Sequence, residues 1–88
     1  MNVTIIWDDA DDPRGNVAHI GEHGFTVDDV EFVVENATFE TVSKRSGRPC
    51  VFGDTPAGEH VIVVFEEVDE STIYPVTCYE VPERRRRR

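Results

Sequence analysis

The stretch His60-Val61-Ile62-Val63-Val64-Phe65-Glu66-Glu67 is apolar at five consecutive positions, Val61 to Phe65. A strand with one face in water alternates apolar and polar side chains, whereas a strand covered on both faces reads as an unbroken apolar run. His60 to Glu67 is therefore predicted to be the central strand of a sheet. Working outward, Thr55-Pro56-Ala57-Gly58 before it and Asp69-Glu70-Ser71-Thr72 after it carry turn residues. Pro49 to Asp54 and Ile73 to Val81 then become its antiparallel neighbours, and Arg45-Ser46-Gly47-Arg48 turns the chain back to a loosely alternating Phe39 to Lys44. Simple hairpin registers place Cys50, Phe52, Val61, Val63, Phe65, Val76 and Cys78 on one face. The other face receives Val51, Ile62, Val64, Thr77 and Tyr79, with Glu66 nearby. A slip of one residue would exchange these sets.

The first half has helical period. Asp12 suits an N-cap with Pro13 at the first helical position, which predicts a helix from Pro13 to His23 that Gly24 stops. Thr26-Val27-Asp28-Asp29 reads as a capping box, and Val27, Val30, Val33 and Val34 give the following helix an apolar stripe ending near Asn36. Val3-Thr4-Ile5-Ile6-Trp7 is β-branched and aromatic and reads as a short strand, with Trp7 a core anchor for the helical hairpin. The expected fold is α+β. Two N-terminal helices pack on one face of an antiparallel meander of about four strands, with a short N-terminal strand besides. Two helices cannot cover both sheet faces, so the Val51, Ile62, Val64, Thr77 and Tyr79 face is expected to lie open for a substrate or partner.

The 88 residues allow one small domain, taken as residues 1–83. Eighteen acids oppose nine bases for a net charge of -9. Five of those bases are Arg84 to Arg88, so residues 1–83 carry four bases against 18 acids, a formal charge of -14. Such a body is repelled by phosphate backbones at long range, and DNA binding by this chain alone is not expected. The arginine tail repels itself and is predicted to be disordered. No apolar run approaches the ~20 residues of a membrane span. Met1 to Trp7 lacks the features of a signal peptide, which points to the cytoplasm. Cys50 and Cys78 have no CxxC spacing and read as buried core residues before they read as a disulfide or a reactive thiol.

Several landmarks occur together and in order. They are Trp7-Asp8, Asn16 ahead of His23-Gly24, Asp28-Asp29, Gly47-Arg48, the Gly53 to Gly58 hairpin, the Val61–Phe65 strand and Ile73-Tyr74-Pro75-Val76-Thr77-Cys78-Tyr79-Glu80. In this order the chain resembles the BrnT family, toxins of type II toxin–antitoxin systems, over about residues 5–83. The resemblance implies a RelE-like fold with the catalytic surface on the sheet face away from the helices. It implies a metal-independent ribonuclease restrained by an antitoxin on that face. The chain departs from the family pattern where it matters for charge. Glu22 stands where the family usually has Lys, Tyr74 stands in place of a basic residue, and Thr77-Cys78-Tyr79-Glu80 stands in place of Ser-Ala-Arg-Lys. Losing a cation from the scissile phosphate costs roughly 100-fold or more in rate.

RNA cleavage without metal needs a base for the 2′-hydroxyl, an acid for the leaving oxygen and a cation for the phosphate. The candidates are His60 or Glu66 as base, Tyr79 as acid and Arg48 as phosphate ligand, with His23 assisting if it reaches the sheet edge. Lys44 and Arg45 join Arg48 in a basic turn that suits phosphate or an acidic partner. Each also has a plain reading: His60 as a strand-end surface residue, Glu66 as a solvated acid, Tyr79 as an exposed sheet aromatic and Arg48 as a turn residue. His19-Ile20-Gly21-Glu22-His23 matches the H-x-x-E-H pattern of zinc peptidases. Gly21, the short chain and the want of a marked third ligand argue against that chemistry, and neither a metal nor another cofactor is expected. Asp8, Asp9, Asp11 and Asp12 lack calcium-loop spacing and read as a solvated turn. The rival to the nuclease is a noncatalytic protein-binding module on the same fold, using the same open face. A homodimer is a further option.

Overall fold

A computed structural model describes residues 1–82; the expected disorder of Arg84–Arg88 lies outside them. The apolar run forms strand β4, His60–Asp69, and β4 lies in the middle of the sheet as its two-sided burial requires. Beside it lie β3, Pro49–Asp54, and β5, Thr72–Glu80. Two-residue strands complete the edges, β2 (Thr41–Val42) next to β3 and β1 (Thr4–Ile5) next to β5. The order β1-β5-β4-β3-β2 makes one five-stranded mixed sheet. The expected meander thus gains a fifth member. β1 runs parallel to β5, held by Thr4 N–H to Ser71 O (2.8 Å) and Ile6 N–H to Ile73 O (2.9 Å).

Two helices, α1 (Asn16–Glu22) and α2 (Val27–Asn36), cover one face. α1 packs on β5, and α2 packs on β3 and β4. Ile20, Val30, Val33 and Val34 meet Val51, Val61, Val63, Phe65, Ile73 and Cys78 in the main core. Gly24 ends α1 with φ +89°. Gly24 N–H then donates to Gly21 O and Phe25 N–H to Ile20 O, the Schellman arrangement, which brings Phe25 into the core above Ile20. The Thr26 capping box is complete, with Asp29 N–H to Thr26 Oγ1 at 3.1 Å and Thr26 N–H to Asp29 Oδ2 at 3.0 Å. Trp7 packs against the main core, and its Nε1–H donates to Glu31 of α2 at 2.9 Å.

Three expectations change. First, α1 begins at Asn16 and not at Pro13. The Asp12 carboxylate accepts from Arg14 N–H in a preceding turn, and the first helical N–H, Asn16, is met by Asp8 Oδ2 from eight residues upstream (2.8 Å). Second, β3 pairs one residue out of the expected register, Cys50 with Val64 and Val51 with Val63. Val51 therefore lies in the helix-side core, while Cys50 and Phe52 take the other face. The cause is the turn. It holds five residues, Thr55 to Glu59, closed by Thr55 N–H to Glu59 O (2.9 Å) and by the Thr55 and Glu59 side chains. Third, β5 has a register shift opposite Val64/Phe65, so Pro75 and not Val76 pairs with Phe65. Pro75 is buried and Val76 turns to the opposite face, beside Val64 and Thr77.

Candidate functional site

The face away from the helices is not bare. Cys50, Ile62 and Val64 form a second small core there, flanked by Tyr79 and Val81, and all three are at most 5% exposed. This corrects the expectation that Ile62 and Val64 are displayed to a visitor. Part of the roof is the loop Ser43–Arg48, closed by Ser43 N–H to Arg48 O and Gly47 N–H to Ser43 O, both 2.8 Å. The loop brings Arg45 over the Tyr79 ring, with its guanidinium carbon 5.7 Å from the centroid, a cation–π contact.

The Arg45–Tyr79 pair stands between two hollows, both of which it lines. The larger, about 420 Å³, has Val64 at its base and His23, Arg48, Thr77 and Tyr79 around it. Thr77 and Tyr79 reach it because β5 alternates, opposite Val64 and Ile62. His23 reaches it because α1 sits beside β5 and Gly24 stops the helix there; the His23 and Tyr79 rings are 6.1 Å apart. Among the described residues no carboxylate lines this groove, in a chain with 18 acids. The second hollow, about 320 Å³, is more apolar in its residues, with Val42, Phe52, Ile62 and Val81 beside Lys44.

The candidates thus divide. Arg45, Arg48, Val64, Thr77 and Tyr79 converge on the groove, and His23 joins them. Lys44 and Ile62 line the second hollow. Glu66 stands beside the groove and is paired to Arg48, Nε to Oε2 at 3.2 Å. His60 is not brought to the groove. Its Nδ1 lies 2.7 Å from Asp54 Oδ1, and its ring stacks on Phe52 at 6.3 Å near the end of the sheet. Val51 is in the other core. Tyr74 is also occupied elsewhere. Its hydroxyl donates to Asp8 Oδ2 at 2.5 Å. That bond pushes the phenol up to about 12, and with the Asn16 N–H it holds the Asp8 carboxyl below its ordinary range.

Asn16 completes this network. It is buried, accepts from Asp8 N–H, and donates through Nδ2 to Ile6 O and Pro75 O. The network fixes α1 against β1 and β5, and so positions His23. Cys50 and Cys78 are both free and buried on opposite faces of the sheet, and burial raises both thiols. Among the described residues, no group of three or more His, Cys, Asp or Glu is placed to hold a metal, and no helix is long and apolar enough to cross a membrane. No family model, curated protein or solved structure matches the chain.

Proposed function

We propose that the chain is a BrnT-like, RelE-type ribonuclease toxin of the cytoplasm, and that the His23–Tyr79 groove is its RNA site. The single observation that carries this reading is the convergence of two arginines, an imidazole and a phenol on one groove free of lining carboxylates. His23 is the base, since His60 is held by Asp54 away from the groove and Glu66 is paired to Arg48. It removes the proton of the 2′-hydroxyl, whose oxygen attacks the adjacent phosphorus. Arg48 and Arg45 offset the charge that builds on the phosphate oxygens. Tyr79 gives its proton to the departing 5′-oxygen, leaving a 2′,3′-cyclic phosphate and a 5′-hydroxyl. No metal enters these steps. An antitoxin protein covering this face would block the groove.

The test is incubation of the purified, antitoxin-free chain with single-stranded RNA in excess chelator. Cleavage to cyclic-phosphate ends is expected, reduced at least tenfold by Arg48→Ala and by His23→Gln, and unaffected by His60→Gln. Expression without an antitoxin should arrest growth. Intact RNA after prolonged incubation with folded protein would overturn the nuclease.

One observation favours the rival, a noncatalytic binding module. Arg48 is already engaged by Glu66 and Arg45 by Tyr79, next to an apolar hollow that exposes Phe52 and Val42. On that reading the face holds a protein and cleaves nothing.

A further inference from the structure

His19 and His23 are four residues apart at the end of α1, so the helix turns both imidazoles to one side. Their ring centroids are 5.3 Å apart and their planes meet at 73°. That spacing has a chemical meaning. An imidazole nitrogen lies about 2.0–2.1 Å from a bound zinc ion and roughly 1.2 Å from its own ring centre. Two rings sharing one ion at nitrogen–metal–nitrogen angles of about 90–110° therefore have centroids about 4.5–5.3 Å apart. The observed pair stands at the open end of that window, and a small rotation of either exposed ring closes it.

The local charge is mixed: Glu22 stands beside His19, while Arg14 shares a hollow with His19 and Arg45 and Arg48 share the groove with His23. Glu22 Oε1 lies 3.9 Å from His19 Nδ1, beyond hydrogen-bond reach but near enough to add negative charge beside that ring. The α1 carbonyls end at His23, where helix dipoles favour positive charge. The chain as a whole carries -9. Neutral imidazoles select zinc, nickel or copper over magnesium or calcium.

We propose that His19 and His23 form an open, two-histidine site for a first-row divalent cation, with water filling the remaining positions. With two protein ligands and not three, the site exchanges its ion, unlike the closed four-ligand sites that hold a fold together. The proposal does not rest on the nuclease reading, although an ion held here would occupy His23 at the rim of the groove.

The test is titration of the full chain with Zn²⁺ by calorimetry, with Mg²⁺ in parallel. One equivalent of Zn²⁺ should bind and Mg²⁺ should give no saturable heat. His19→Gln and His23→Gln should each weaken Zn²⁺ binding at least tenfold, and His60→Gln less than twofold. Both lost histidines are exposed, so the circular dichroism of the variants should match the parent. Substoichiometric Ni²⁺ should broaden the His19 and His23 ring resonances before any others. Less than tenfold weakening in either variant overturns the site. So does broadening that begins at the His60–Asp54 pair or in the Asp8–Asp12 turn.

Discussion

Gly15 and Gly21 are six residues apart in the chain, and contact requires the first to be glycine but not the second. A β-carbon at Gly15 would stand 2.6 Å from Asp8 Cβ. Asp8 would have to move, and its bonds to Asn16 N–H and the Tyr74 hydroxyl would go with it. A β-carbon at Gly21 meets nothing within 4 Å, inside a helix where alanine is the better former. Gly15→Ala should therefore destabilise the protein, because the 2.6 Å clash is relieved only by giving up these part-buried hydrogen bonds. Gly21→Ala should stabilise it by up to ~1 kcal/mol. Urea unfolding of the two variants checks this, and shifts of the same sign would refute it. The contrast also marks what single residues disclose. Trp7 and Arg48 are legible where they stand. Asp8, Asn16 and Tyr74 meet only after folding, and nothing local in the sequence announces a network that spans 66 residues.

At the scale of elements, local rules succeed where the partner is local. Thr26 and Asp29 lie three residues apart, and the capping box they predict is present at both of its bonds. Thr26→Ala should cost about 1 kcal/mol, read as a lower urea midpoint with unchanged slope. A loss below a few tenths would mean that tertiary packing alone holds α2. The start of α1 escapes local rules for the opposite reason. Asp12 is a good cap by type, but the acceptor that meets Asn16 N–H comes from Asp8. The register of β3 was hidden in the turn, because Thr55 and Glu59 close a five-residue loop where a four-residue one reads equally well. One residue in that loop moves Val51 into the core and Cys50 out to the second cluster. The same limit applies to the candidate site. Tyr79 and Thr77 follow from strand alternation on β5, whereas His23 depends on where a helix stops and which side of the sheet that end reaches.

For the whole molecule, the sheet separates two cores, and each contains a buried thiol. This makes alkaline pH a probe of the complete fold. Burial pushes the Cys78 thiol from 9.0 up to about 12, and the Asp8 bond pushes the Tyr74 phenol from 10.0 up to about 12. Below about pH 8 both groups are protonated whether the chain is folded or not, so their contribution to stability is fully present. Between pH 9 and 12 the unfolded chain gives up these protons while the folded chain retains them. Stability must then fall as pH rises through that interval. The midpoint temperature should drop by at least ~10 °C between pH 8.5 and 11, given the sensitivity of a domain this size. Tyr74→Phe and Cys78→Ala each lower stability at neutral pH, yet each should flatten this alkaline decline, because each removes a proton that folding must hold. Thiol reagent should label neither cysteine of the native protein at pH 8 and both after unfolding, since Cys50 and Cys78 have no exposed surface. A melting temperature that stays level to pH 11, or rapid labelling of folded protein, would mean that the two cores open more readily than their packing allows.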